Sequence, residues 1–427
     1  MGAEKVKIFL SYHKNTPCYK SDVFQPIHVG ALNSSEAIEF AIKDSTGENI
    51  SELNPYYCEL TGHYWVLKNY IENCNEEYVG FSHYRRLPDL ASISKEDVPS
   101  IYGIGYSDSV KLFNTFSKLD LFSLCEPYDI ILPCSVYLYA KTVNPLLRED
   151  EPHYNMYQQF KIEHKSNLLD VLKDVIYEFY PEYKEALLSA FKMEKTHYFN
   201  IYIIKKIILK SFLEWEFDIL ERIGTKIGGW NQEKYLRMAG FVGECLTNIW
   251  LVKNNNNYYA LGYVPIYIVD FESEFYQKAD ILHKEGKFRE EIDLLARVQD
   301  IITDKFWLYL TMSQAYFLLS DMENCKKNLY KAETYALSGD EYIQLANFSK
   351  NFSEPERIVK YYKKAIEYAP DKKYYASAFL FYAKSTNSIE LTDEAWKYML
   401  NHDLSDVEQS NYESFMRIKN KLANKNI

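Results

Sequence analysis

Tyr78-Val79-Gly80-Phe81-Ser82-His83-Tyr84-Arg85-Arg86 is the stretch whose reading decides the fold. Its first half is short and apolar, follows the polar run Asn75-Glu76-Glu77, and reads as a buried strand. Its second half puts a histidine and two adjacent arginines where that strand ends. In open α/β sheets, ligands bind just beyond the carboxyl ends of the strands. Two guanidiniums there take an anion bidentately, and phosphate suits them. The plain alternative is an arginine pair on a solvated loop, with His83 as a turn residue. The surrounding chain weighs against it.

Outward from this stretch, residues 57–71 repeat Leu60, Tyr64, Leu67 and Ile71 at helical spacing, with Glu59, Thr61, His63, Lys68 and Asn69 on other faces. A helix feeding a strand feeding a polar tip is a βαβ-style unit. Further back, Val6-Lys7-Ile8-Phe9-Leu10 reads as the first strand, and Ser11-Tyr12-His13-Lys14 as its polar tip. A nucleotide commonly sits at such a tip. Neither GxGxxG nor GxxxxGK[ST] occurs, so neither the dinucleotide fingerprint nor a P-loop is supported.

Downstream, residues 88–118 resist assignment. Tyr128-Asp129-Ile130-Ile131-Leu132-Pro133 is a second buried-strand pattern. Residues 134–160, with His153 and Tyr154, read as a loop or lid near the site. Residues 196–204 are a third strand pattern, with Asn200 expected at the end of its strand. Residues 167–179, 181–191, 207–222 and 237–250 read as helices, with Trp215, Phe217 and Leu220 facing inward and Gly228-Gly229 as a break. The last helix carries Arg237 and Glu244 among apolar residues. A buried carboxylate needs a partner or takes a raised pKa. An internal ion pair with Arg237 or another cation is the structural alternative to a catalytic role for Glu244. Residues 258–269 alternate as a final strand or hairpin after the polar turn 254–257.

The bulk numbers set limits. The 427 residues suffice for two or three domains, and 47% hydrophobic with 26% charged residues is ordinary for a globular protein. A net charge of −11 argues against a nucleic-acid binder with a broad basic surface. The 39 tyrosines against 15 glycines fit either codon bias or aromatic stacking on sugars. No signal peptide is visible near residues 5–10, and no apolar stretch approaches the roughly 18 residues of a membrane span. The seven cysteines are scattered and form no CxxC pair, which fits a reduced, cytoplasmic protein without a zinc site.

From Phe275 onward the sequence turns helical, with an internal repeat of about 34 residues, the mark of a helical solenoid. Small residues at Ser313, Cys325 and Ala332 let paired helices approach, with Tyr316 and Leu329 between them. Ala279, Gly286-Lys287-Phe288 and Ile292 follow the same pattern one unit earlier, and residues 361–370 end a unit one period later. Residues 275–402 resemble tetratricopeptide repeats, which bind partners or self-associate. An ordinary helical bundle is the alternative.

Three ordered blocks in the first half carry a second resemblance: Glu59-Leu60-Thr61 with Tyr64-Trp65 and Lys68-Asn69; Gly80-Phe81-Ser82-His83-Tyr84-Arg85-Arg86; and Phe199-Asn200-Ile201 with Trp215, residues 217–220 and residues 237–246. They resemble a bacterial family of capsule, exopolysaccharide and O-antigen loci. It was formerly a domain of unknown function and is now regarded as glycosyltransferases, galactofuranosyltransferases among them. The chain departs from the family pattern at Ile201, at Leu87-Pro88 and at Cys245.

The resemblance, spanning about residues 5–255, implies an α/β GT-A-like (Rossmann-like) nucleotide-sugar transferase domain over residues 1–270, followed by an all-α tetratricopeptide-like solenoid over 275–427. Such folds usually hold a divalent metal with Asp-x-Asp, and no Asp-x-Asp occurs in residues 1–270. Arg85 and Arg86, with His13, Lys14 and His83, are therefore expected to hold the donor diphosphate directly. The alternative is that His83 with Asp89 holds Mn²⁺ or Mg²⁺. Glu244, then Asp129, are the candidates for the base an inverting transfer needs. Tyr64, Lys68, Asn200 and Arg237 are the expected sugar or acceptor contacts. The implied activity moves galactofuranose from UDP-galactofuranose to a growing capsular or other surface polysaccharide. Heptosyl transfer and a non-catalytic assembly scaffold are the alternatives. Expected partners are the nucleotide-sugar and the saccharide acceptor, with a partner transferase, a second copy or the inner membrane face for the repeats.

Overall fold

The computed structural model describes residues 5–423, apart from 15, 17, 36, 139–153, 255–257 and 353. The chain divides into two compact units, Met1–Glu274 and Phe275–Ile427. The first is built on a mixed ten-stranded sheet with helices, and the second is all helical. Among the described residues no helix is long and apolar enough to cross a membrane.

The stretch 78–86 lies at the middle of that sheet. Strand β4 (Tyr78–His83) runs parallel to β1 (Val6–Tyr12) on one side and antiparallel to β10 (Tyr202–Lys205) on the other. Beyond β1 lie β2 (Phe24–His28) and β3 (Ile42–Lys43), both parallel. Beyond β10 lie β7 (Ile130–Pro133) and β11 (Leu261–Val264). Tyr84 and Arg85 form a two-residue turn, so Arg86 opens β5 (Arg86–Pro88) directly opposite His83. β12 (Ile266–Asp270) then joins β5 to β6 (Ile101–Gly105). A separate pair is made by β8 (Val136–Tyr137) and β9 (Lys195–Thr196).

β4 is buried along its length and emerges only at His83, as expected of a central strand covered on both faces. Gly80 allows β10 to come close. A Cβ there would meet Tyr202 O at 2.8 Å and Ile203 Cγ1 at 2.7 Å. Phe9, Val79, Phe81 and Tyr202 pack beneath the helices Leu60–Asn69, Lys206–Lys226 and Met238–Asn254. Asp44 ties the loops near the site together. Its carboxylate accepts from Gly30 N at 2.7 Å, Ala31 N at 3.0 Å, Thr61 Oγ1 at 2.6 Å and the Ser51 hydroxyl.

Several expectations need correction. The helix expected over 57–71 is broken at Cys58, whose φ is +52°, into Asn54–Tyr57 and Leu60–Asn69. His63, expected on another face, is buried and stacks on Phe81 at 3.8 Å. The unassigned residues 88–118 contain β6 and the helix Tyr106–Phe116. The 134–160 segment contains β8 and the helix Met156–Glu163, and its residues 139–153, including His153, lie outside the described residues. β11 and β12 do not pair as a hairpin, because each joins a different neighbour in the sheet.

In the second unit, helices begin at residues 305, 339, 373 and 406, with packed partners beginning at 322, 355 and 389. That recurrence, close to 34 residues, is the period of paired-helix repeats. Ser313, Cys325, Leu329 and Ala332 are fully buried, and Ser313 Oγ donates to Cys325 O at 2.8 Å.

Candidate functional site

The site gathers where β1 and β4 end. His83 is the pivot. Its Nε2 donates to Phe199 O at 2.7 Å, and its Nδ1 accepts from Arg86 Nη1 at 3.5 Å. Burial is the main reason its imidazole is lowered to about 4, so the ring is neutral at physiological pH. Arg86 stacks on the Phe199 ring, 4.5 Å from its centroid. Arg85 projects from the turn, exposed, and His13 stands at the rim against Tyr84, 5.5 Å between ring centroids. Partial burial, then the charges of Lys14, Arg85 and Arg237, hold the His13 imidazole below its usual range. These side chains surround a cleft of about 390 Å³, lined by His13, Cys58, Glu59, Arg85, Arg86 and Arg237.

A second, narrower pocket, of about 120 Å³, adjoins it and shares Cys58, Glu59, Arg86 and Arg237. Glu244 lines it from the helix Met238–Asn254, with Gln159, Glu163, His164 and His197 among the other walls. Glu244 Oε1 accepts from Phe199 N at 3.1 Å. Burial, and then the negative charge of Glu59, raise its carboxyl to about 8 against the pull of Arg86 and Arg237. The ion pair with Arg237 offered as the structural alternative is not formed. Arg237 is exposed and packs over Phe241 at 5.2 Å.

Backbone strain concentrates here. Of the eight non-glycine residues with positive φ among the described residues, four surround the cleft: Cys58 (+52°), Phe199 (+79°), Asn200 (+50°) and Arg237 (+65°). Side chains rarely adopt that region, and such residues cluster where geometry is functional. Asn200 does not end a strand; β10 begins two residues after it. Because β10 is antiparallel, its start meets the end of β4, which brings Asn200, itself buried, behind the cleft wall at Glu59. The Asn200 amide donates to Glu59 Oε1 at 2.6 Å and Gly240 O at 3.1 Å.

Three other sequence candidates stand elsewhere. Asp129 precedes β7 at the opposite end of the sheet, paired with Lys205 Nζ at 2.7 Å and accepting from Ala260 N at 2.8 Å. Burial works against ionisation there, but those partners outweigh it and hold its carboxyl below the usual range. Tyr64 and Lys68 line a different groove with Tyr57, Phe217 and Trp230, and both engage Glu48, each at 3.0 Å. The pair His83 and Asp89 does not fit a metal ligand set. Both His83 nitrogens are engaged, and Asp89 is buried and accepts from Ala91 N and Tyr267 OH. No group of three metal-type ligands forms among the described residues.

Glu59, Cys58, His164 and His197 were missed as site residues. Glu59 follows the left-handed Cys58, a break that helical periodicity does not reveal. Burial pushes the Cys58 thiol up to about 12, which leaves it unreactive. His164 stacks on Phe241 at 4.0 Å, and burial lowers its imidazole to about 4. His197 Nδ1 donates to Pro133 O at 2.7 Å, fastening the β9–β10 connection to the end of β7.

The model of a family described as a domain of unknown function, DUF4422, matches residues 7–256. The apo structure of the bifunctional glycosyltransferase WbbM is similar at 27% identity and a TM-score of 0.52, over 62% of this chain and 46% of that one. The chain thus spans less than half the length of WbbM. No curated protein sequence matches it.

Proposed function

The chain belongs to the DUF4422 family, and from that footing we propose that its first unit is a glycosyltransferase that moves a sugar from a nucleotide donor to a saccharide acceptor. One observation carries this reading. A cationic rim of Arg85, Arg86 and Arg237 beside the His13 ring, at the ends of parallel strands, opens onto a carboxylate, Glu244, raised to about 8. The arginines, with Lys14 beside His13, suit a diphosphate, and departure of a nucleoside diphosphate is where negative charge develops. Glu244 suits the removal of a proton from the acceptor hydroxyl near neutral pH. The likeness to WbbM supports the same class.

The finer assignment extends the sequence resemblance. The donor we propose is UDP-galactofuranose, and the acceptor a capsular or other surface polysaccharide assembled on the cytoplasmic side of the membrane. The diphosphate is held by cations of the protein, without an obligatory Mn²⁺ or Mg²⁺. The second unit, with its tetratricopeptide-like period, serves a partner transferase, a second copy or the membrane face. Asn200 acts by holding Glu59, since its amide is already engaged.

Calorimetry with UDP, GDP and CMP, each with Mn²⁺ and with EDTA, tests this. UDP binding that survives EDTA and disappears in Arg85→Ala is expected. Binding only with Mn²⁺ keeps the transferase and removes the metal-free diphosphate site. Binding of GDP instead redirects the donor towards heptose-type sugars. Failure of all three to bind overturns the reading in favour of a scaffold.

A further inference from the structure

Beneath the site is a carboxylate that the proposed mechanism does not use. Glu216, on the helix Lys206–Lys226, is 0% exposed, and neither of its oxygens has a hydrogen-bond partner. The Oδ1 of Asn200 is likewise buried without a donor, although its Nδ2 is fully engaged with Glu59 and Gly240. The two orphans share one spot. A Cβ built on Gly243 would meet Glu216 Oε1 at 3.2 Å and Asn200 Oδ1 at 3.4 Å, beside Leu60 Cδ1 at 2.8 Å. Glycine at 243 is what leaves room for both oxygens.

Two buried oxygen acceptors on opposite sides of one small gap, neither with a donor, are unfavourable unless one carries a proton or a water lies between them. An ionised carboxylate requires a cation or several donors, and Glu216 has neither. The titratable groups that feel Glu216 electrostatically are Glu59 and Tyr202. Tyr202 OH and His63 Nδ1 bond each other at 2.9 Å and so are not directed at Glu216. Burial, and then the charge of Glu59, both raise the Glu216 carboxyl well above the usual range. The protonated acid has one O–H to give.

We propose that Glu216 is a neutral buried acid whose hydroxyl caps Asn200 Oδ1, directly or through one water, and so locks the amide that holds Glu59 at the mouth of the cleft. Glu216 is thereby a positioning residue. Without the cap, the Asn200 side chain is free to flip, and Glu59 loses the 2.6 Å donor that fixes it between the two pockets. The strained backbone of Phe199 and Asn200, which presents the N–H bound by Glu244, loses support from the same change.

The effect on turnover rests on the transferase reading, but the protonation state does not, so the two are tested apart. Infrared difference spectroscopy of the full chain at pH 7, wild type minus Glu216→Gln, is expected to show one protonated-carboxylic-acid carbonyl band that the variant loses, over the band that Glu244 gives to both proteins. A difference spectrum in which the variant loses only ionised-carboxylate bands overturns the proposal, whatever the enzyme's reaction. In the second arm, Glu216→Leu that remains folded by circular dichroism is expected to lose at least tenfold in kcat with unchanged UDP affinity. Glu216→Gln, which keeps a donor, restores most of that loss. Equal losses in Gln and Leu reject the cap and leave Glu216 a packing residue.

Discussion

The His83 ring donates to the carbonyl of Phe199 over 2.7 Å, across 116 positions of sequence, and joins the end of β4 to a left-handed corner. His83→Ala leaves that carbonyl without its partner and is expected to cost about 1–3 kcal/mol in urea unfolding. Burial of the same ring, against the pull of that bond, sets a pH dependence. The folded imidazole titrates at about 4, below its ordinary 6.5, so only the unfolded chain takes up this proton between the two values. Its stabilisation is complete above pH 6.5 and is lost as pH falls towards 4. The variant is expected to show a shallower acid loss over that window.

Glu244 behaves in the opposite sense. Its folded value of about 8 lies above the ordinary 4.5, so its contribution to stability is complete below pH 4.5 and is lost as pH rises through 8. If it is the base, kcat/KM for sugar transfer rises through an apparent pKa near 8. Glu244→Gln is expected to lower turnover by about 10²–10⁴-fold, to abolish that limb and to flatten the alkaline decline in stability. An unchanged profile assigns the proton transfer elsewhere, with Glu59 the next carboxylate in the cleft.

Arg86 combines a charge with a flat face. It lies over Phe199 at 4.5 Å and beside His83. Lysine keeps the charge but neither the fork nor the stacking plane. Arg86→Ala and Arg86→Lys are therefore both expected to weaken UDP binding about tenfold or more in calorimetry, on the order of 1.4 kcal/mol. Recovery of affinity by lysine would mean that the charge alone matters.

Asp129 is expected to matter for stability only. Asp129→Asn removes an ion pair to Lys205 at the far end of the sheet, worth up to about 1 kcal/mol for a partly exposed pair. Transfer rates should stay within twofold of wild type. A tenfold loss of kcat in a normally folded variant contradicts the placement of the base at Glu244.

The site was legible where a strand announced itself by its own composition. The apolar run 78–82 with His83 to Arg86 behind it marked the centre of the sheet, and the tip at His13 followed from the first strand. Direction was not legible. A four-residue apolar strand reads the same both ways, so Asn200 was expected at the end of its strand while it precedes β10. Asp129 was chosen as an acid beside a buried strand, and only the position of Lys205 and Ala260 shows that it precedes that strand at the wrong end. Tyr64 and Lys68 share a helix with residues near the cleft, but the reversal at Cys58 turns their face to another groove. Nothing in the sequence singles out Glu216, which sits between the inward-facing Trp215 and Phe217.

The four left-handed residues around the cleft have a bearing on engineering. Glycine at Cys58, Phe199, Asn200 or Arg237 would relieve a backbone penalty of roughly 1–2 kcal/mol each. It would also delete the stacking ring under Arg86, the amide that holds Glu59, or a guanidinium of the rim. A thermostabilising redesign guided by backbone preference alone would therefore start at these positions and end with a tougher, inert protein.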